Sequence, residues 1–318
     1  MRPLVVGAGR VTWDVVFREG RLLGGQAGGT CGNVMAILAW LGWRALPAIT
    51  LGMDDPGMAI RSDLERFGVD CSHIEQTISP TPVISRPTDS NGLPFFSSRC
   101  GCGAEHPSEA QPPSMLLSPE MAASTCRAFF FDQDSEVGLS LALRCREQGA
   151  LVVWEPSYAG PEVDWGGCLR VAHVLKYSRA QLPGLHERVT IGPRLVIETD
   201  GAEGLRYRLD GVWHDSPAFP APVVRDAGGA GDWTTAGFIA HFAGWDTVGD
   251  ALRRGQAMAA WSVAFDGARG GMYAATREEF DRETAAILAG EVFDPGERRS
   301  RRFPDAGRFC ECRASGTA

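Results

Sequence analysis

Short unbroken apolar runs alternate with helically spaced ones along most of this chain, and that alternation sets the expected architecture. Residues 3 to 9 (PLVVGAG) form an apolar run ending in glycines, as a buried parallel strand entering a loop does. Val11 to Phe17 and Arg21 to Leu23 are extended pieces about a turn at Glu19 and Gly20, with Asp14 set among Val and Trp. That carboxylate either lies at an edge facing water or is aimed at a ligand hydroxyl. From Asn33 onward, Val34, Ile37, Leu38 and Leu41 recur at helical spacing, Gly42 closes the run, and Asn33 is placed to cap it. Residues 74 to 104 are rich in Thr, Ser, Pro and Phe without helical period, and predict strands of a small accessory sheet. Residues 105 to 120 are a proline-rich connection. From Arg127 the segments AFFFD, EVGLSLALRCREQG, ALVVWEP, VAHVLKYS and PRLVIETDG alternate strand with helix, the rhythm of βαβ units and a mostly parallel sheet. Asp250 to Val263 predicts one more helix, its apolar residues facing a core.

Composition narrows the class without changing that picture. At 318 residues and 44% hydrophobic content the chain can bury a large core. A formal net charge of −8 leaves no global positive field for nucleic acid or an anionic membrane. No apolar run approaches the roughly 18 residues of a membrane helix and the N-terminus lacks a signal pattern, so a cytoplasmic protein is expected. Nine scattered cysteines fit reduced thiols better than a disulfide framework. Cys100 with Cys102 and Cys310 with Cys312 are CxC rather than CxxC pairs, and with His106 nearby the first could contribute to a metal site. Beyond about Glu291 the chain turns arginine- and proline-rich without a periodic apolar face, and a flexible extension over 291–318 is expected.

Chemistry concentrates in residues 226 to 238, DAGGAGDWTTAGF, where four glycines and two carboxylates precede an apolar helical pattern. Such a turn can direct backbone N–H groups and the positive end of a helix dipole at an anion. Asp232 then stands as a carboxylate at the mouth of an anion site, which suits removal of a proton from a hydroxyl. The familiar nucleotide templates do not fit. The chain has one lysine, Lys176, flanked by Leu175 and Tyr177, which matches neither a P-loop nor a protein-kinase strand. Gly7 and Gly9 are followed by Thr12 where a dinucleotide fingerprint needs glycine.

The segment resembles the second signature of the ribokinase-like (PfkB) carbohydrate kinases, Asp-Thr-x-Gly-Ala-Gly-Asp. The first signature has its counterpart in Gly28, Gly29, Asn33, Leu41-Gly42, then Gly52, Asp54 and Gly57, continued by Leu64, Gly68, Val69 and Asp70. The family's Thr-Gly at the start of the lid appears as Thr81-Pro82, and its Thr-x-Gly-x-x-Gly as Thr199, Gly201 and Gly204, a pattern that a tight turn between two strands would also produce. Two departures stand out: Glu155-Pro156-Ser157 replaces Asp-Pro-Asn, and Ser178 with Gln181 replaces an Asn-x-x-Glu that orders the water around the nucleotide's magnesium.

The resemblance implies an α/β fold: one ribokinase-like three-layer α/β/α domain over 1–290, with a mostly parallel central sheet and a small β-sheet lid from about 11–24 and 78–104. It implies transfer of the γ-phosphoryl of ATP, with Mg2+, to a hydroxyl of a sugar or sugar-like alcohol. Asp232 would be the general base, and the backbone of Gly229, Ala230 and Gly231 the anion hole. Asp14, Gly28, Gly29 and Asn33 would hold the acceptor. Thr199, Gly201, Gly204 and Gly267 would line the nucleotide, and Asp226 would lie near a monovalent cation such as K+ in the manner of relatives that use one. Paired lids make a homodimer in many relatives. With Arg86 and Arg99 the only arginines in 78–104, an unphosphorylated sugar or a nucleoside is the expected acceptor. The alternatives are a nucleoside kinase of the same fold, and a kinase-shaped binder with weak or no transfer, the latter on account of Ser178 and Gln181.

Overall fold

A computed structural model describes residues 2–93, 95–99, 126–189, 192–243, 247–296, 298 and 303–304. The strands are β1 (Leu4–Ala8), β2 (Thr12–Arg18), β3 (Arg21–Gly28), β4 (Arg44–Ala48), β5 (Thr50–Gly52), β6 (Glu75–Thr77), β7 (Val83–Thr88), β8 (Cys126–Phe131), β9 (Leu151–Trp154), β10 (Val174–Ser178), β11 (Leu195–Thr199), β12 (Leu205–Leu209) and β13 (Val212–Ser216). The helices are α1 (Thr30–Trp40), α2 (Asp55–Arg66), α3 (Glu136–Glu147), α4 (Trp165–Val171), α5 (Leu185–Arg188), α6 (Ala230–Phe242), α7 (Val248–Ser262), α8 (Gly270–Ala274) and α9 (Arg277–Leu288).

The central sheet runs β13-β12-β11-β10-β9-β8-β1-β4. Its strands from β11 through β4 are all parallel, and β12 and β13 extend it as an antiparallel edge. Alternate residues of each buried strand feed opposite faces, as a period of two requires. Val5, Phe130 and Val153 join the core formed with α1, α6, α7 and α9, whereas Leu4, Val6, Phe131 and Trp154 join the one formed with α3 to α5. Within the first core, Trp233 is fully buried against Trp40, Trp261 and Phe280 and donates its Nε1–H to the Ala268 carbonyl at 2.9 Å. The ribokinase-like α/β/α architecture expected from the sequence is the one present.

A separate three-stranded sheet, ordered β3-β2-β7, lies over the carboxyl ends of this arrangement. Asp14 sits on its middle strand and is buried, which removes the water-facing edge alternative. The sheet reaches Gly28, further than the expected limit near 24, and Glu75–Thr77 pairs with β5 instead of joining it. Signature residues Gly52, Asp54 and Gly57 turn out to anchor the lid. Asp54 accepts from the N–H of Thr81 at 2.7 Å and of Gly57 at 2.9 Å, and Thr81 Oγ1 accepts from the Gly52 N–H at 2.9 Å.

Helix α1 begins three residues before Asn33. Gly29, at φ 77, forms its N-cap, a left-handed conformation that glycine adopts without strain, so Asn33 is released from capping. Part of the expected flexible extension is packed. Phe303 is buried against Tyr273, and the Gly25 N–H on β3 donates to the Pro304 carbonyl at 3.0 Å. The aromatic ring supplies the apolar anchor for this segment. The described cysteines, Cys31, Cys71, Cys126, Cys145 and Cys168, are buried free thiols. The CxC pairs, His106 and residues 105 to 120 lie outside the described residues. Among the described residues no helix is long and apolar enough to cross a membrane.

Candidate active site

The site gathers where parallel strands end. Asp132 follows β8, Glu155 follows β9, Ser178 closes β10 and Thr199 closes β11, so the sheet delivers polar groups to one rim, as open α/β sheets do at their ligand crevices. Opposite this rim, α6 starts at the glycine turn. Gly229 is its N-cap at φ 84, and a Cβ there would lie 2.6 Å from the Cβ of Ala268. Glycine is therefore required on two counts, conformation and space. The first N–H groups of any helix lack intrahelical acceptors. In this turn the Ala230 N–H makes only a long 3.3 Å bond to the Ala227 carbonyl.

Between rim and turn lies a cavity of about 790 Å3. It is lined by Gly229, Ala230, Gly231 and Asp232 on the helix side, and by Thr199, Gly201 and Gly204 on the other. Ser178, Gln181, Glu155 and Lys176 also line it. Thus the signature turn and the Thr-x-Gly-x-x-Gly segment face one space, across a turn between β11 and β12. Gly267 is elsewhere. Its N–H donates to Asp226 Oδ2 at 2.8 Å, beneath the glycine turn.

Asp232, third residue of α6, accepts from Asn33 Nδ2 at 2.7 Å. Burial pushes its carboxyl up to about 8, the Glu155 carboxylate adds to the rise, and Lys176, the Asn33 bond and Asp132 make smaller contributions of either sign. Asp132 accepts from the N–H groups of Arg10 and Cys31 at 2.8 and 2.9 Å, yet burial, with some help from Glu155, still raises it to about 7. Glu155 is held by the Lys176 ammonium and by Thr235, whose Oγ1 donates at 2.6 Å. Lys176 donates in addition to the Gly231 carbonyl at 3.0 Å, so the chain's one lysine braces the turn. Sequence reasoning missed Asp132, Glu155 and Lys176 as site residues. The available signal was their position at or beside the carboxyl ends of strands.

The four expected acceptor residues lie on the far side of Asp232. Asn33 joins the two halves, giving Nδ2–H to Asp232 and accepting from Arg269 Nε at 3.1 Å. Asp14 accepts from Thr12 Oγ1 at 2.6 Å and fills the space left by the missing side chain of Gly28. Burial raises the Asp14 carboxyl, and Arg86, the Thr12 bond, Arg269 and Arg10 oppose the rise. Gly29 backs onto the Arg10 carbonyl, and the next residue, Thr30, reaches the cavity. Arg269 is fully buried, paired with Asp63 at 2.7 Å, and its Nη1 has no hydrogen-bond partner among the described residues.

Asp226 does not stand open to a cation. Arg86 Nη2 and Nη1 donate to its two oxygens, each at 2.7 Å, and the Gly228 N–H donates to Oδ1 at 2.9 Å. A guanidinium from β7 thus holds both oxygens of the carboxylate at which K+ is expected. Among the described residues no group of three or more His, Cys, Asp or Glu is arranged to hold a metal by itself.

A three-layer α/β/α domain with a small separate lid sheet, and a helix opened by a glycine turn with a buried carboxylate in its first turn, make up a ribokinase-like fold. Residues 173–274 match the family model of the pfkB family carbohydrate kinases. The chain is 29% identical over 286 residues to an ATP-dependent ribose-1-phosphate kinase of Halopiger xanaduensis, a match covering 83% of this chain and 93% of the relative. Among solved structures, the ribokinase of Arabidopsis thaliana with ribose and ATP superposes with a TM-score of 0.70 at 20% identity, covering 89% of this chain and 99% of that one. A putative ribokinase from Agrobacterium tumefaciens gives 0.70 at 22%, covering 92% and 100%.

Proposed function

We propose that the protein transfers the γ-phosphoryl of ATP to a hydroxyl of a small sugar, with Asp232 as general base. One observation carries this reading: a buried carboxylate poised near working pH, in the first turn of α6, faces a nucleotide-sized cavity and is tied through Asn33 to the pocket around Asp14. ATP lies in the cavity along Thr199, Gly201 and Gly204, with its terminal phosphate against the backbone of Gly229 to Gly231. The acceptor hydroxyl lies between Asn33 and Asp232. Asp232 takes its proton as the oxygen bonds to the γ-phosphorus and the bond to the β-phosphate oxygen breaks. The helix dipole and the turn's N–H groups stabilise charge on the transferring group, since phosphoryl transfer depends on positioning and electrostatics. Bound magnesium would neutralise charge on the phosphates, and Glu155, on the rim facing the turn, would provide the carboxylate that Gln181 does not.

A second acceptor reading is favoured by a particular observation. Arg10 and Arg269, both outside 78–104, act on Asp14, and Arg269 Nη1 is buried without a hydrogen-bond partner among the described residues. Together with the activity in the name of the Halopiger relative, this supports a phosphorylated pentose over a neutral sugar. ADP release measured with ribose, ribose-1-phosphate, fructose and a nucleoside separates the two. Asp232→Asn should keep nucleotide and acceptor binding while turnover falls by about 10² or more. Unchanged turnover in that variant sinks the assignment, and binding without turnover in the native chain makes it a kinase-shaped binder.

A further inference from the structure

The carboxylate of Asp226 is saturated. A carboxylate offers about four lone-pair directions. Here Oδ1 accepts from Arg86 Nη2 at 2.7 Å and the Gly228 N–H at 2.9 Å, while Oδ2 accepts from Arg86 Nη1 at 2.7 Å and the Gly267 N–H at 2.8 Å. Thr88 Oγ1 stands a further 3.5 Å from Oδ2. Both side chains of the ion pair are 1% exposed. Burying a second cation beside a guanidinium that already neutralises this carboxylate would add repulsion at low dielectric with no oxygen left to coordinate it.

The origin of Arg86 matters as much as its charge. It belongs to lid strand β7, while Asp226 opens the turn that leads to Gly229 and Asp232, 140 residues further along the chain. A second tie runs in parallel, the Ala227 N–H donating to the carbonyl of Gly92, just beyond β7, at 2.7 Å. The guanidinium also lies 5.6 Å from the ring centre of Phe96, another lid residue, which lines the nucleotide cavity. The lid thus brings a fixed positive charge and a planar two-pronged donor to the base of the glycine turn, a geometry suited to bidentate holding of a carboxylate.

We propose that Arg86 is a built-in replacement for the monovalent cation, a positioning residue that orders the 226–231 turn from the lid, so that this protein works without K+. This rests on the reading of that turn as the phosphoryl-transfer site. The test compares K+, Na+ and choline chlorides at equal ionic strength, following turnover, affinity for a non-hydrolysable ATP analogue, and melting temperature of the full chain. For the native chain all three should agree within about twofold, or show no K+-specific shift, because the buried charge is already supplied. A gain in K+ of about fivefold or more, or a K+-specific rise in melting temperature, overturns the proposal.

Arg86→Ala should lose on the order of 100-fold in kcat in choline, as a buried carboxylate left unpaired disturbs the turn. Part of the loss should return with millimolar guanidinium or with K+, and Arg86→Lys should retain an intermediate rate. Rescue by a small cation distinguishes positioning by charge from a merely structural part. Native-like turnover of Arg86→Ala in choline would refute the assignment. If that variant does not fold, the native cation profile decides alone. If no acceptor is phosphorylated in any salt, the transfer reading has failed, and the cation dependence of analogue binding and melting still settles the place of Arg86.

Discussion

The pH dependence of turnover offers the sharpest check on Asp232, because its carboxyl is raised for reasons that can be altered one at a time. With titration at about 8 in the free protein, about one-tenth of the carboxyl is ionised at pH 7, about half at pH 8 and about nine-tenths at pH 9. A general base works only when deprotonated, so kcat/KM for the acceptor should climb about fivefold from pH 7 to 8 and only about twofold from 8 to 9. After burial, the Glu155 carboxylate is the largest cause of the rise. Glu155→Gln removes that like charge and frees the Lys176 ammonium from its partner, and both changes favour the ionised form of Asp232. The acid limb should move down by about one pH unit, leaving a rise of less than about twofold between pH 7 and 8. Coupled ADP-release assays at subsaturating acceptor and saturating magnesium, from pH 6 to 9.5, would measure it. The amplitude should also fall, since Glu155 lines the cavity in which the phosphates are proposed to lie, but the position of the limb is the diagnostic quantity. A native limb below about pH 6, or a limb that stays in place or moves up in Glu155→Gln, would refute the chain of causes.

Other expectations follow from the same coordinates. Because the folded-state carboxyls of Asp132 and Asp232 are raised, the folded form holds protons that the unfolded chain releases, and stability should decline as pH rises from about 4 to 8. Asp232→Asn should therefore melt higher than the native chain at pH 8.5, by an amount that shrinks toward pH 5, in a thermal-denaturation series. Gly229→Ala should destabilise by about 1–3 kcal/mol, from the positive φ and the 2.6 Å approach of its Cβ to Ala268, and should weaken nucleotide binding in titration calorimetry. Phe303→Ala should cost about 2–4 kcal/mol in denaturant unfolding, since its ring is buried against Tyr273 and lies beside Gly267. An unchanged midpoint there would mean that the C-terminal segment is detached in solution.

What the sequence disclosed depended on how local each feature is. The glycine turn, α6 and the strand–helix alternation from β8 onward are written in contiguous residues, and a pattern of period two or 3.6 exposes them. The first residue of α1 was displaced to Asn33 because a side chain able to cap competes in a sequence with a glycine that caps by conformation. Asp132 and Glu155 were opaque for another reason. Each is a single carboxylate at a strand end, and only the folding of β8 beside β9 gives it neighbours. Arg86 and Asp226 are the extreme case. Their residue types give no hint that one satisfies the other, since only the folding of the lid brings the guanidinium to the turn.

The single lysine has a practical corollary for chemistry done to the protein instead of by it. With Lys176 lining the cavity and no other ε-amine in the chain, amine-directed reagents have one side-chain target, and it lies in the cavity proposed for the nucleotide. Acylation or cross-linking through lysine would report occupancy of that cavity, and bound nucleotide would shield it. The same scarcity argues for attaching the protein to surfaces through groups other than amines, for a lysine anchor would hold it by the wall of this cavity.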